Sequence, residues 1–352
     1  MTPTAPLAER TRGEIGETLS AMSSYGSEFE RTFANHAPMA LTALAGIGGS
    51  PERLKRFFAY YRDYKQLKPF GAPQAELTTA TWESALGQRE REPDLRAFFL
   101  REVAEKGVEA TLHAYLPSLA PGVGASAFHG LMRLAYALLS ERDDDVAIAL
   151  GYWAATYLAL RPATGAPPLT DDPAEVLART MAIGPLHDLK LHELLWQNMR
   201  DAAALDEFAP VVDWLRIDDA TLGKMAATGL VVFSATQHFA ALHIVTGAHW
   251  LRIVEPYADR ATFYALLRYF WQGIAGLVGE LGFPTLPDAE TLERWRRAPT
   301  PDWTALQAAA SESFDEHDIS LAFSAFEEAK VYDDPLYRVA LARRLGLMQE
   351  YR

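Results

Sequence analysis

The stretch A-S-A-F-H-G-L-M-R-L-A-Y-A-L-L, residues 125–139, decides the fold class. Its apolar residues recur at three- and four-residue spacing, the period of an amphipathic helix and not the alternation of a strand. The same spacing places His129, Arg133 and Tyr136 on one stripe, because residues four and seven apart share a helix face.

Outward from this stretch, the same period runs through Pro51 to Lys65, Leu95 to Leu116, Asp145 to Leu160, Leu186 to Ala204, Ala220 to Val254, Thr262 to Leu281 and Phe314 to Lys330. One run, Leu230 to Phe233, has strand composition, but it is flanked by helical pattern and too short to define a sheet. The breaks are short and carry Pro or Gly, as in Gly46–Pro51, Lys68–Pro73, Pro117–Gly124, Arg161–Thr170, Phe283–Pro287 and Ala298–Pro301. None has the length of a flexible linker. The sequence therefore predicts an all-α chain, a single large multi-helix domain over residues 1–352, with 162–173 as the boundary should there be two lobes.

With 352 residues, 49% of them hydrophobic, the chain can bury a large core. A net charge of −13 with no basic stripe excludes nucleic acid as a partner. The absence of cysteine excludes thiolate nucleophiles, disulfides, iron–sulfur clusters and Cys-type zinc sites, so any metal must be held by nitrogen and oxygen. The first residues lack the apolar run of a signal peptide, and the longest apolar stretches are interrupted by His, Gln or Arg. The expectation is a cytoplasmic protein without a membrane span.

Four separate apolar segments, 35–40, 127–133, 241–249 and 314–320, carry histidine, the third of them both His243 and His249. Imidazole fills a core poorly unless its nitrogens are satisfied, and a metal or a carbonyl can do so. Taken alone, His129 reads as a buried histidine held by a carbonyl. His36, ahead of Pro38, sits beside a helix N-terminus. His317 lies in the first turn of a helix whose Ser313 and Glu316 form an S-x-x-E box, which gives Glu316 a capping role. Along one continuous helix His238 and His249 are roughly 16 Å apart, and His243 and His249 are about 9 Å apart on different faces. At most one of the three can then serve a given metal, unless the helix breaks, for which Gly247 is the available place. Gly122 to Ala127 imitates a dinucleotide fingerprint, but no strand precedes it and it reads as a loop into the helix of His129. No H-E-x-x-H or G-x-S-x-G string is present.

The strings NHAPMAL (35–41), YLPSLAPGVGASAFHGLMRLAYAL (115–138), IALGYWAATYLAL (148–160), LHIVTGAHWLR (242–252) and FDEHDISLAF (314–323) resemble, in that order, the questin oxidase family. The resemblance implies an all-helical, oxygenase-like protein with a buried histidine-rich site, acting on an aromatic polyketide or quinone-like substrate with O₂. In the iron-dependent form it implies non-haem iron on four histidines, which fall on His36, His129, His243 and His317, plus a carboxylated lysine in an H-x-x-K pattern. That last position is Ser320 here, and Lys330 lies roughly 20 Å along the helix axis from His317.

On this reading Arg133 stabilises a phenolate or enolate oxygen, Tyr136, Phe128 and Trp153 wall the pocket, and His249 is on the substrate side. Two rival expectations stand beside it. One is a metal-free Baeyer–Villiger monooxygenase using NADPH, with the histidines as acid–base groups, although no nicotinamide-binding signature is present. The other is a non-catalytic helical binder of an aromatic small molecule. A homo-oligomer is compatible with each.

Overall fold

The structure, a computed structural model, describes Leu7 and residues 9–348. Among the described residues seventeen α-helices follow one another: α1 (Glu9–Met22), α2 (Ala37–Gly46), α3 (Pro51–Tyr64), α4 (Glu92–Lys106), α5 (Val108–Leu119), α6 (His129–Ser140), α7 (Asp143–Ala155), α8 (Pro173–Met181), α9 (Leu195–Ala204), α10 (Val211–Trp214), α11 (Thr221–Thr236), α12 (Phe239–Val254), α13 (Arg260–Ala275), α14 (Ala289–Arg296), α15 (Trp303–Glu312), α16 (Glu316–Tyr332) and α17 (Leu336–Arg344). A single antiparallel pair, β1 (Glu28–Phe29) and β2 (Phe33–Ala34), joins Glu28 to Ala34 and Phe29 to Phe33. The fold is all-α, as the periodicity predicts.

Several long periodic segments are two elements. The stretch 220–254 breaks at Gln237, whose φ of 49° is left-handed, so Leu230 to Phe233 lies inside α11 as helix. The restart is fixed by His238, whose ring nitrogen accepts the backbone N–H of Ala240 as an N-cap. Gly247 is no break. It sits mid-helix, where an added Cβ would lie 2.4 Å from the Phe270 ring, so its role is the close approach of α12 to α13. Gly107, at φ 79°, divides α4 from α5. Within 186–204, α9 begins only at Leu195.

Packing follows from which helices are apolar all round, because such helices must be covered on every side. Every residue of α6, and every residue of α12 after Phe239, is buried. Around them α2 packs on α6, α6 on α12, α12 on α16, and α16 back on α2, which closes a ring of four helices. These are the helices that carry the four histidines. One apolar core runs from Leu7 to Ala342, with members on both sides of 162–173. Among the described residues no helix is long and apolar enough to cross a membrane.

Candidate metal centre

All four histidines stand at the N-terminal ends of the ring helices. His36 is the residue before α2, His129 opens α6, His243 lies in the second turn of α12, and His317 is the second residue of α16. Their rings meet. Centroids are 4.5 Å apart for His36 and His129, 4.9 Å for His36 and His317, 5.7 Å for His129 and His243, and 6.3 Å for His243 and His317.

Each ring is tied through Nδ1. His36 donates to the Ala34 carbonyl at 2.9 Å, His129 to the Ser126 carbonyl, His243 to the Phe239 carbonyl at 3.1 Å, and His317 to Asp315 Oδ1 at 2.9 Å. A carbonyl or carboxylate only accepts, so the proton of each neutral ring sits on Nδ1 and Nε2 carries a bare lone pair. Burial pushes His36 and His243 well below the ordinary histidine pKa, with neighbouring imidazoles adding to the effect, and lowers His129 to about 4. These three rings are therefore neutral near pH 7.

Two of these bare nitrogens, His36 Nε2 and His129 Nε2, face each other at 2.7 Å. Two lone pairs at that distance repel unless a cation lies between or beside them. His317 Nε2 is buried with no hydrogen-bond partner. Four nitrogen donors oriented from behind by oxygen acceptors are the arrangement a transition-metal ion requires, and imidazole suits iron, zinc, copper or nickel. The residues fit a metal.

The backbone is shaped to deliver these rings. Ser126, Ala127 and Phe128 take φ of 44°, 57° and 70°, three consecutive left-handed residues without a glycine. Each costs roughly 1–2 kcal/mol, and the turn aims the Ser126 carbonyl at His129. The buried Tyr61 hydroxyl accepts the backbone N–H of His36 at 3.1 Å. Asp315 caps α16 by accepting the His317 N–H, orients the His317 ring, and pairs with Arg344 at 2.8 Å. Burial opposes its charge, but the His317 hydrogen bonds hold its carboxyl well below the usual range.

This corrects the S-x-x-E reading of 313–316. Ser313 bonds Asp318 instead of capping the helix, so Glu316 has no capping duty. Its carboxylate enters the site, forming with His36 and His317 a group whose ligand atoms lie within 4.8 Å of one another.

The histidines open on a cavity of roughly 200 Å³. Its apolar walls include Phe29 and Phe33 from the hairpin, Trp196 from α9 and Phe239 from α12, while Lys65, Glu193 and Glu316 supply charge. Outside it a vestibule shares Thr32, Phe33, Glu193, Leu194 and Trp196. Arg31 of the hairpin reaches Glu193 at 2.8 Å across this mouth; both are more than 60% exposed, so the contact is weak and easily opened.

Other residues singled out in the sequence lie elsewhere. Arg133 shares the face of His129 but sits a turn deeper, touching Ser27 Oγ at 3.3 Å, with the Asp145 and Glu92 charges stabilising it. Tyr136 bonds Ser320 at 3.0 Å, and both are buried. Phe128 packs against Phe270 with the rings tilted by 49°, and Trp153 donates to the Gly122 carbonyl at 3.2 Å. His249 bonds Ser324 at 3.0 Å and packs on Phe323, away from the cavity. The expected lining by Arg133, Tyr136, Phe128, Trp153 and His249 is thus replaced by the hairpin phenylalanines, Trp196, Phe239 and Lys65. Of these only Phe239, four residues before His243 on the same face, left a sequence signal.

Residues 33–322, a span that contains all four histidines, match the family model described as Questin oxidase-like. No curated protein matches the chain.

Proposed function

Since this chain belongs to the questin oxidase-like family, whose chemistry is of oxygenase type, we propose that it is a non-haem iron oxygenase acting on an aromatic, phenolic or quinone-like small molecule. The observation that supports this reading is the cluster of four imidazoles whose rings meet, with every Nδ1 held from behind and the Nε2 atoms of His36 and His129 2.7 Å apart. His36, His129, His243 and His317 would hold the ion. Iron bound there supplies the redox capacity that lets O₂ react with an organic molecule.

The chain's own residues do the rest. Phe29, Phe33, Trp196 and Phe239 offer flat apolar faces that stack an aromatic ring and keep bulk water from the site. Lys65, the cation on the cavity wall, is placed to meet a phenolate or enolate oxygen, the task expected of Arg133. The carbonyls of Ala34, Ser126 and Phe239 and the Asp315 carboxylate fix the imidazole tautomers, which preserves the lone pairs.

The test is the metal content of full-length protein purified without chelator. About one iron per chain is expected, with loss of iron in His129→Ala and in His243→Ala, because alanine has no lone pair to donate. Unchanged metal in both variants refutes the reading.

A further inference from the structure

We infer that Glu316 is the anionic ligand of the four-histidine site, and that Lys65 holds its carboxylate until a metal ion takes it. The inference rests on the metal-binding reading above and deepens it. Four neutral imidazoles leave the full charge of a divalent ion uncompensated inside a buried site, so an anion close to the ion is needed. Two carboxylates line the cavity, Glu193 and Glu316. Glu193 is exposed and paired with Arg31 at the mouth. Glu316 is only 7% exposed, and one of its oxygens lies with nitrogens of His36 and His317 within 4.8 Å of one another.

Three further features converge on Glu316. Asp315 performs the capping of α16, so the Glu316 side chain is free of local structure. Ser320, one turn further along α16, is engaged by Tyr136 and bears no charge. Lys65 Nζ stands 3.3 Å from Glu316 Oε1, so a cation already occupies the place next to this carboxylate. With the four ring helices presenting their N-terminal ends to the site, an anion there is favoured, and a cation is acceptable only with one. Carboxylate transfer from Lys65 to the metal also releases the ammonium toward the cavity it lines.

Cobalt(II) titration of the metal-free full-length chain tests this, with affinity and the visible ligand-field spectrum as readouts. Wild type is expected to bind. Glu316→Gln should bind at least about tenfold more weakly with a shifted spectrum, His129→Ala should lose binding, and Lys65→Met should bind no more weakly than wild type. If wild type fails to bind, or His129→Ala binds as wild type does, the four-histidine reading falls. If wild type binds, His129→Ala does not, and Glu316→Gln matches wild type in both affinity and spectrum, the Glu316 inference alone falls. A loss in Lys65→Met equal to that in Glu316→Gln would assign the anion to the lysine and also overturn it. Should Glu316→Gln fail to fold, the crystal structure of cobalt-loaded wild type decides. A Glu316 oxygen within about 2.2 Å of cobalt supports the inference, and one still on Lys65 refutes it.

Discussion

Gly130→Ala tests how rigidly the fold positions its site. Gly130 follows His129 in α6 and faces Trp153 of α7, where an added Cβ would lie 2.8 Å from Cγ, 2.9 Å from Cβ and 3.0 Å from Cα of the tryptophan. Carbon atoms rest at about 3.5–4.0 Å, so α6 and α7 must part by about 0.7 Å. Trp153 cannot swing away, because it is fully buried and its indole N–H is tied to the Gly122 carbonyl. Overpacking of this kind costs about 1–3 kcal/mol, and alanine returns up to about 1 kcal/mol in helix propensity, less in a first turn. The expected net loss is about 1–2 kcal/mol in urea unfolding of the metal-free protein. The same displacement moves His129 beyond the roughly 0.5 Å tolerance of a preorganised site, so cobalt affinity should fall about tenfold. A variant as stable as wild type with unchanged cobalt affinity would show that the α6–α7 contact yields without moving the histidine, and would refute the reasoning.

Two further outcomes are expected. Asp315→Ala removes the α16 cap, about 1 kcal/mol, and the acceptor that orients His317, so metal affinity should drop about 10–100-fold; melting temperature and cobalt titration check this, and unchanged affinity would deny the orienting role. His249, lowered to about 3 by burial and then by the Arg252 and Lys330 charges, binds fewer protons folded than unfolded between pH 3 and 6.5. Its contribution is complete above pH 6.5 and is lost as pH falls toward 3, at most roughly 5 kcal/mol. His249→Gln should flatten the acid limb of the stability–pH curve, and an unchanged slope would contradict the assignment.

The helices were legible because burial on one face imposes a 3.6-residue period that survives in the sequence whatever the neighbours are. Their ends were less so. The stop at Gln237 depends on His238 accepting the Ala240 N–H, a contact that competes with one more turn of helix and that composition cannot rank. The hairpin was invisible for a different reason: two-residue strands carry no period, yet they bring Phe29 and Phe33 to the cavity wall.

Within the site, the sequence showed which residues share a face but not how deep each sits. His129, Arg133 and Tyr136 lie on one stripe of α6, yet Arg133 is about 6 Å and Tyr136 about 10 Å further along the axis. That distance takes them past the cavity, Arg133 to Ser27 and Tyr136 to Ser320. Depth is fixed by where the ring helices cross, which is tertiary information. Glu316 was hidden by a real local competition. Ser313 and Asp315 both offer a cap to α16, and Asp315 prevails because one carboxylate serves the His317 N–H, the His317 ring and Arg344 at once. The same choice that orients a histidine frees the neighbouring glutamate. Any change that restores capping to residue 313 should therefore disturb His317 and Glu316 together.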